Sequence, residues 1–219
     1  MSIAAPRIAL IHAVYAAMAP TEVAFAAEWP EARCVNLIDD SLPADLEADG
    51  GMTPTMVRRI ERLAEHAIAA GAQGVLFTCS AFGEAIEKAA QATSVPVLKP
   101  NEAMFGAALR TGARVGMLGT FAPAMRSMEE EFHAMAMARG LRPSLRTHCM
   151  PAAHAAARSG DVALHNRLVA EGARQMTDCD VLMLAHFSTS TAMMDVQLVL
   201  DCPLLSAPKA AVIAMRSLV

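Results

Sequence analysis

Arg7-Ile8-Ala9-Leu10 is matched further along the chain by Arg114-Val115-Gly116-Met117, 107 positions later. Val95-Pro96-Val97-Leu98 is matched by Cys202-Pro203-Leu204-Leu205, and the two prolines lie 107 positions apart. Val75-Leu76-Phe77-Thr78 and Leu182-Met183-Leu184-Ala185 keep the same offset. Three anchors at one separation mark an internal duplication that covers nearly the whole of the 219 residues. Each matched segment is a short, almost continuously apolar run. That is the pattern of a parallel strand buried on both faces, not the alternation of a half-exposed one.

Working outward, the spacing predicts strands over Arg7–Ile11, Ala32–Leu37, Gly74–Thr78, Val95–Leu98, Arg114–Leu118, Arg142–His148, Val181–Ala185 and Pro203–Leu205. Amphipathic helices fall between them. The clearest covers 53–70: Thr53 is a good N-cap, Pro54 suits the first turn, and Gly71 stops it. Further helices are expected over 122–139 and 161–176, and one at the C-terminus. The predicted fold class is α/β: two pseudo-symmetric Rossmann-like lobes with parallel sheets and an inter-lobe active-site cleft. Residues 1–100 with a C-terminal helix over about 207–219 would form one lobe, and residues 101–206 the other.

Composition narrows the function. Hydrophobic residues make up 54% but aromatics only 4%, so Ala, Leu, Val, Ile and 16 Met must fill the core. A formal net charge of −4 with no basic stripe argues against a nucleic-acid partner. The apolar run after Arg7 is interrupted by His12 and is too short to span a bilayer, which takes about 20 residues. A buried first strand accounts for it better than a signal peptide or a membrane contact. Five cysteines (34, 79, 149, 179 and 202) with no CxxC pair fit a reducing cytoplasm better than a disulfide framework. No HExxH, GxGxxG or GxxxxGK[ST] pattern occurs, so no metal, nucleotide or other cofactor is expected. The Ala- and Met-rich stretch 134–137 suggests spare apolar surface for a homo-oligomer.

The repeat also points to chemistry. The third strand of the first half ends in Thr78-Cys79-Ser80-Ala81-Phe82-Gly83, with a helix expected from about Ala81. The position equivalent to Cys79 is His186, in Leu184-Ala185-His186-Phe187-Ser188-Thr189. A thiol and an imidazole therefore stand at equivalent strand-to-helix junctions. A helix N-terminus after Cys79 would favour its thiolate. Thr78, Ser80, Ser188 and Thr189, with the backbone at Ala81, could hold a carboxylate or enolate. Phe77, Phe82 and Phe187 could line an apolar pocket.

The segments GVLFTCSAFGEAIE (74–87), VPVLKPNEAM (95–104) and RVGMLGTFAP (114–123) resemble the aspartate/glutamate/hydantoin racemase superfamily, which includes maleate isomerases and arylmalonate decarboxylases. The resemblance implies two lobes around a cleft, cofactor-independent chemistry at an acidic carbon, and a carboxylate or hydantoin-like small-molecule substrate. It places one cysteine after the third strand of each lobe. Cys79 matches the first; the second, usually within a DxIxLGCT-like segment, is replaced by His186. It also implies substrate contacts from the loops after the first strand of each lobe, here His12-Ala13-Val14 and Gly119-Thr120-Phe121. The expected activity is a racemase or isomerase with Cys79 as acid/base and His186 on the opposite face of the substrate carbon. Decarboxylation of a substituted malonate with Cys79 as proton donor is the alternative. A Cys-dependent hydrolase and a non-catalytic binding protein remain open as further classes.

Overall fold

The computed structural model describes residues 5–219 and contains two four-stranded parallel sheets with helices packed against them. The first sheet is built from β1 (Arg7–His12), β2 (Arg33–Ile38), β3 (Gly74–Phe77) and β4 (Val97–Leu98), in the order β2-β1-β3-β4. The second uses β5 (Arg114–Gly119), β6 (Ser144–Cys149), β7 (Val181–Leu184) and β8 (Leu204–Ser206), in the order β6-β5-β7-β8. Intervening helices in the first half are α1 (Met18–Glu28), α2 (Leu42–Ala48), α3 (Pro54–Ala69) and α4 (Gly83–Gln91). They are followed by α5 (Glu102–Thr111), α6 (Ala122–Ala138), α7 (Pro151–Arg158), α8 (Val162–Ala173), α9 (Met193–Gln197) and α10 (Ala207–Leu218). Two compact units result. One holds the chain up to Pro100 together with Ala211–Val219, the other Asn101–Ala210.

The duplication extends to individual backbone bonds. Ile8 pairs with Gly74 in the first sheet, and Val115 with Val181 in the second, each at the same register. Thr78 N–H donates to Ile11 C=O at 3.0 Å, and Ala185 N–H to Leu118 C=O at 2.8 Å. Val75 N–H donates to Pro96 C=O at 2.8 Å, and Leu182 N–H to Pro203 C=O at 2.9 Å. Those prolines explain why β4 starts two residues later than its apolar run suggests. Proline accepts in a ladder but cannot donate, so regular pairing begins after it.

Period-two side-chain direction splits each strand between two faces. In the first unit Ala9, Ile11, Val75 and Phe77 meet Met56, Ile60 and Ala64 of α3 and Ile86 of α4. Ile8, Leu10 and Leu76 are fully buried on the other face, and the Met215 side chain of α10 fills the space over Gly74. In the second unit Leu118, Leu182 and Leu184 pack with Val169 of α8 and Val196 of α9. Phe105 of α5 and Phe132 of α6 meet edge-on, with centroids 5.6 Å apart.

Local capping follows the sequence. Thr53 accepts from Met56 N–H at 3.2 Å, and Asp161 from Leu164 N–H at 2.9 Å, fixing the starts of α3 and α8. One boundary differs in a place that matters. The chain after Cys79 does not enter an α-helix at Ala81; it makes a 3-10 turn over Ser80–Phe82, and α4 starts at Gly83. Among the described residues no helix is long and apolar enough to cross a membrane.

Candidate functional site

In each sheet the strand order reverses direction of growth between the first and third strands, so the chain leaves their C-terminal ends on diverging paths. Open parallel sheets bind ligands at such switch points. In the first unit these ends carry His12, Thr78 and Cys79; in the second they carry Gly119, Thr120 and His186. Strand pairing thus places Cys79 and His186 at equivalent positions of their own sheets.

The first half-site is a hydrogen-bonded framework. His12 is fully buried, with Nδ1 2.9 Å from Thr78 Oγ1 and Nε2 3.0 Å from Asn36 Oδ1. Asn36 donates its amide N–H to Glu22 Oε1 at 2.7 Å, which leaves Oδ1 as the face offered to His12. His12 therefore carries its proton on Nε2 and accepts from the Thr78 hydroxyl at Nδ1. Burial lowers its pKa, outweighing the Asn36 hydrogen bond and the Glu22 charge, so the ring is neutral. The structure places His12 and Thr78, both expected at the substrate, within this hydrogen-bonded framework. Both are buried and spend their polar atoms joining the ends of β1, β2 and β3.

Cys79 follows directly, in extended backbone (φ −112°, ψ 124°), and is half-buried against the core of the first unit. Burial raises its pKa, and a hydrogen bond from Ala81 N–H offsets only part of that effect. The expected thiolate is thus corrected to a thiol at neutral pH. The physical reason is burial, which the one N–H that the 3-10 turn brings to the sulfur does not offset. Ser80 is half-buried and Ala81 exposed, so both remain within reach of a ligand. Phe77, Phe82 and Phe187 are 3%, 1% and 2% exposed, so their rings are packed into the core. Asp39 accepts from Arg59 Nε of α3 at 2.7 Å.

The second half-site is arranged differently. His186 is the one non-glycine with positive φ (68°) among the described residues. That left-handed conformation costs on the order of 1–2 kcal/mol for an L-residue, so the surrounding bonds must hold it. Thr120 N–H donates to His186 Nδ1 at 3.5 Å, and Thr120 itself is buried. Gly119 makes room: a Cβ there would stand 3.1 Å from His186 Cε1 and would collide with the Met125 sulfur. His186 Nε2 is buried without a hydrogen-bond partner among the described residues, and so is Thr189 Oγ1. Burial pushes the His186 pKa down to about 4, with a smaller contribution from His154. His154 is itself lowered by burial, then by Arg158 and His165, and its ring lies 5.2 Å from that of Phe121. Ser188 is half-buried, and its carbonyl accepts from Thr191 Oγ1 at 3.1 Å.

Sequence reasoning missed Asn36, Glu22, Gly119 as a spacer, and His154. Asn36 sits on β2 at an edge, where no motif marks it, and only pairing of His12 with Ile38 and Leu10 with Asn36 brings it into range. A groove of about 550 Å³ is lined by His133, Met137, Leu141 and Arg142, and holds none of the candidate residues. No group of three or more His, Cys, Asp or Glu side chains that could hold a metal ion occurs among the described residues.

Comparison with known proteins bears on this arrangement. Residues 40–147 match the family model for Asp/Glu/hydantoin racemases. No curated protein matches the chain by sequence. Among solved structures, glutamate racemase from Thermus thermophilus in complex with β-chloro-D-alanine is similar with a TM-score of 0.71 at 19% identity, over 97% of this chain and 80% of that one. Allantoin racemase from Klebsiella pneumoniae gives 0.71 at 15% identity, over 97% and 87%. A glycine-to-cysteine mutant of arylmalonate decarboxylase, in a sulfate-associated form, gives 0.62 at 18%, over 97% and 93%. At these identities the likenesses establish the fold. The family match identifies residues 40–147 as an Asp/Glu/hydantoin racemase domain, on a fold that the racemase and decarboxylase structures share.

Proposed function

We propose that the protein is a cofactor-independent racemase or isomerase that transfers a proton at the acidic carbon next to a carboxylate or carbonyl, with Cys79 as its acid/base and His186 as the side chain paired with it at the substrate. The observation that carries this reading is their equivalence. Each follows the third strand of its sheet at the same register, beside a backbone bond that the other half repeats. Neither residue is used up by the framework, whereas His12 and Thr78 are. The substrate class follows from what surrounds them. Ser80, the N–H groups of the turn after Cys79, Ser188 and Thr189 offer hydrogen-bonding groups, which suit the oxygens of a carboxylate and of the enolate it becomes. Relatives by fold include a glutamate racemase bound to an amino-acid analogue and an allantoin racemase, which is in keeping with a small acid or hydantoin-like substrate.

Decarboxylation of a substituted malonate is the second reading, and one observation favours it. Burial keeps Cys79 protonated, so its thiol is ready to donate to an enolate that loss of carbon dioxide has already formed. In that reaction the carboxylate C–C bond breaks, its electron pair enters the enolate, and the thiol proton goes to carbon; water restores the thiol.

Incubation in deuterium oxide with hydantoins, amino acids, 2-aryl acids and substituted malonates separates the two by NMR. Deuterium entry without loss of mass marks the isomerase, and carbon dioxide release the decarboxylase. Cys79→Ala is expected to lower either rate by roughly 10²–10⁴-fold, the contribution of a positioned acid or base. Full activity in that variant would end the assignment.

A further inference from the structure

We infer that His186 works as a neutral hydrogen-bond donor, offering Nε2–H to a carboxylate or enolate oxygen of the substrate, and does not act as the proton-abstracting base. The inference rests on the proton-transfer reading above but concerns only what the imidazole contributes to it.

Three features of the second unit carry it. Thr120 N–H points at Nδ1, and a backbone N–H can only donate, so Nδ1 must be the unprotonated nitrogen of the ring. The proton of the neutral ring then lies on Nε2, which is buried and has no acceptor among the described residues. A buried donor is almost always satisfied in a folded protein, so one left unpaired calls for an acceptor supplied from outside. The remaining feature is the backbone. His186 holds a left-handed φ of 68°, and the missing side chain of Gly119 leaves space for Cε1. Strain of this kind persists where the surroundings fix a side chain for a purpose.

His12 provides the internal contrast. It shows what a structural histidine looks like in this chain: fully buried, ordinary backbone, and both nitrogens bonded, to Thr78 and Asn36. His186 differs on every one of these points except its neutral ring. Its neighbour Thr189 also keeps a buried hydroxyl without a partner among the described residues, so two polar groups from the same turn await an oxygen-rich ligand. A ligand that presents an ammonium or N–H at this point would meet Nε2–H donor to donor. The site therefore selects for oxygen there. The donor keeps its proton throughout, which leaves Cys79 as the one side chain of the pair that carries a proton to or from carbon.

The test uses the full chain labelled with [15N]histidine, with His186→Asn to assign its signals. Long-range proton–nitrogen correlation at pH 7 is expected to give a protonated, pyrrole-type Nε2 and a bare, pyridine-type Nδ1. The reverse pattern overturns the inference. Malonate is then added as a probe: the Nε2–H proton should move downfield, and absence of any change at saturating malonate also overturns it. His186→Phe should weaken malonate binding by about tenfold or more, the scale of one charge-assisted hydrogen bond, and His186→Gln, which restores an N–H, should recover part of that. Equal loss in both variants counts against the donor role. If the deuterium-exchange panel finds no substrate, the proposed function fails while the tautomer result stands. If the tautomer is reversed, Cys79-dependent exchange remains to be explained by other means.

Discussion

Acidification provides a direct test of how His186 is held. An imidazole in the unfolded chain titrates near 6.5, whereas burial pushes His186 down to about 4 in the folded protein. Between these values the unfolded state binds the proton and the folded state does not, so stability falls as the pH drops from about 6.5 toward 4 and is unaffected above. At pH 4.5 the unfolded imidazole is about 99% protonated and the folded one about a quarter, which costs about 2.5 kcal/mol relative to pH 7. His12 and His154 are lowered in the same direction and steepen the same limb, so the parent protein alone cannot isolate His186.

The comparison is with His186→Asn, because asparagine tolerates a left-handed backbone and does not titrate. Urea denaturation of both proteins at several values between pH 7 and 4.5 gives the difference of slopes, in which the shared groups cancel. At an m-value of about 2–3 kcal/mol/M the parent midpoint should fall about 1 M further than that of the variant. Circular dichroism is the right signal, since the single tryptophan, Trp29, belongs to the first unit and His186 to the second. Parallel acid limbs in the two proteins would refute the buried neutral imidazole, and with it the geometry of the second half-site.

Other perturbations address the remaining pieces. His12→Ala removes two hydrogen bonds and leaves Thr78 and Asn36 facing a cavity; a loss of about 2–4 kcal/mol is expected, read as a melting-temperature drop of about 5–15 °C. A change under 2 °C would mean the framework relaxes without it. Alkylation by iodoacetamide, mapped by peptide mass, should find Cys79 slow at pH 7.5 and still accelerating above pH 9, because burial raises the thiol; fast labelling at pH 7 would contradict this. Gly119→Ala should cost about 1–3 kcal/mol through collision with Met125 and crowding of His186. Adding Met125→Ala should return part of that loss, and strict additivity in the double-mutant cycle would show that the two side chains do not meet.

The fold was legible because it depends on features that survive as text. Parallel strands buried on both faces leave apolar runs, and a duplicated chain leaves them at a constant offset. Even there the offset marked its own limit: β1, β3 and β4 recur 107 positions on, but β2 and β6 start 111 apart, since an edge strand tolerates a longer approach. α2 and α7 were missed for a related reason. Both are short helices beside edge strands, with few apolar positions to set a period. The polar surroundings of the site were harder still. Nothing in the sequence says that Asn36 fixes the amide geometry that sets the His12 proton, or that the residue after Cys79 begins a 3-10 turn. Such facts depend on register and on backbone angles, not on residue type.

His12 and Gly119 are equivalent positions, and so are Cys79 and His186. Each half therefore carries one imidazole at the ends of its central strand pair, but supplied by opposite strands. In the first half the imidazole comes from β1, is consumed in bonds to Thr78 and Asn36, and leaves a small thiol after β3. In the second half the β1 equivalent ends in a glycine, and the imidazole comes from the turn after β7 with one nitrogen unpaired among the described residues. The space is complementary: a side chain at Gly119 would crowd the imidazole, and at the first half His12 occupies the corresponding strand end while Cys79 stays short. On the proposed reading the thiol carries a proton and the imidazole only donates a hydrogen bond, which makes them an unequal pair. An enzyme built on them should exchange the substrate proton with solvent faster than it inverts the carbon, because a single proton carrier returns the proton to the side it came from. Equal rates of exchange and inversion would require His186 to carry protons as well, and would restore the symmetric mechanism that the duplicated fold first suggests.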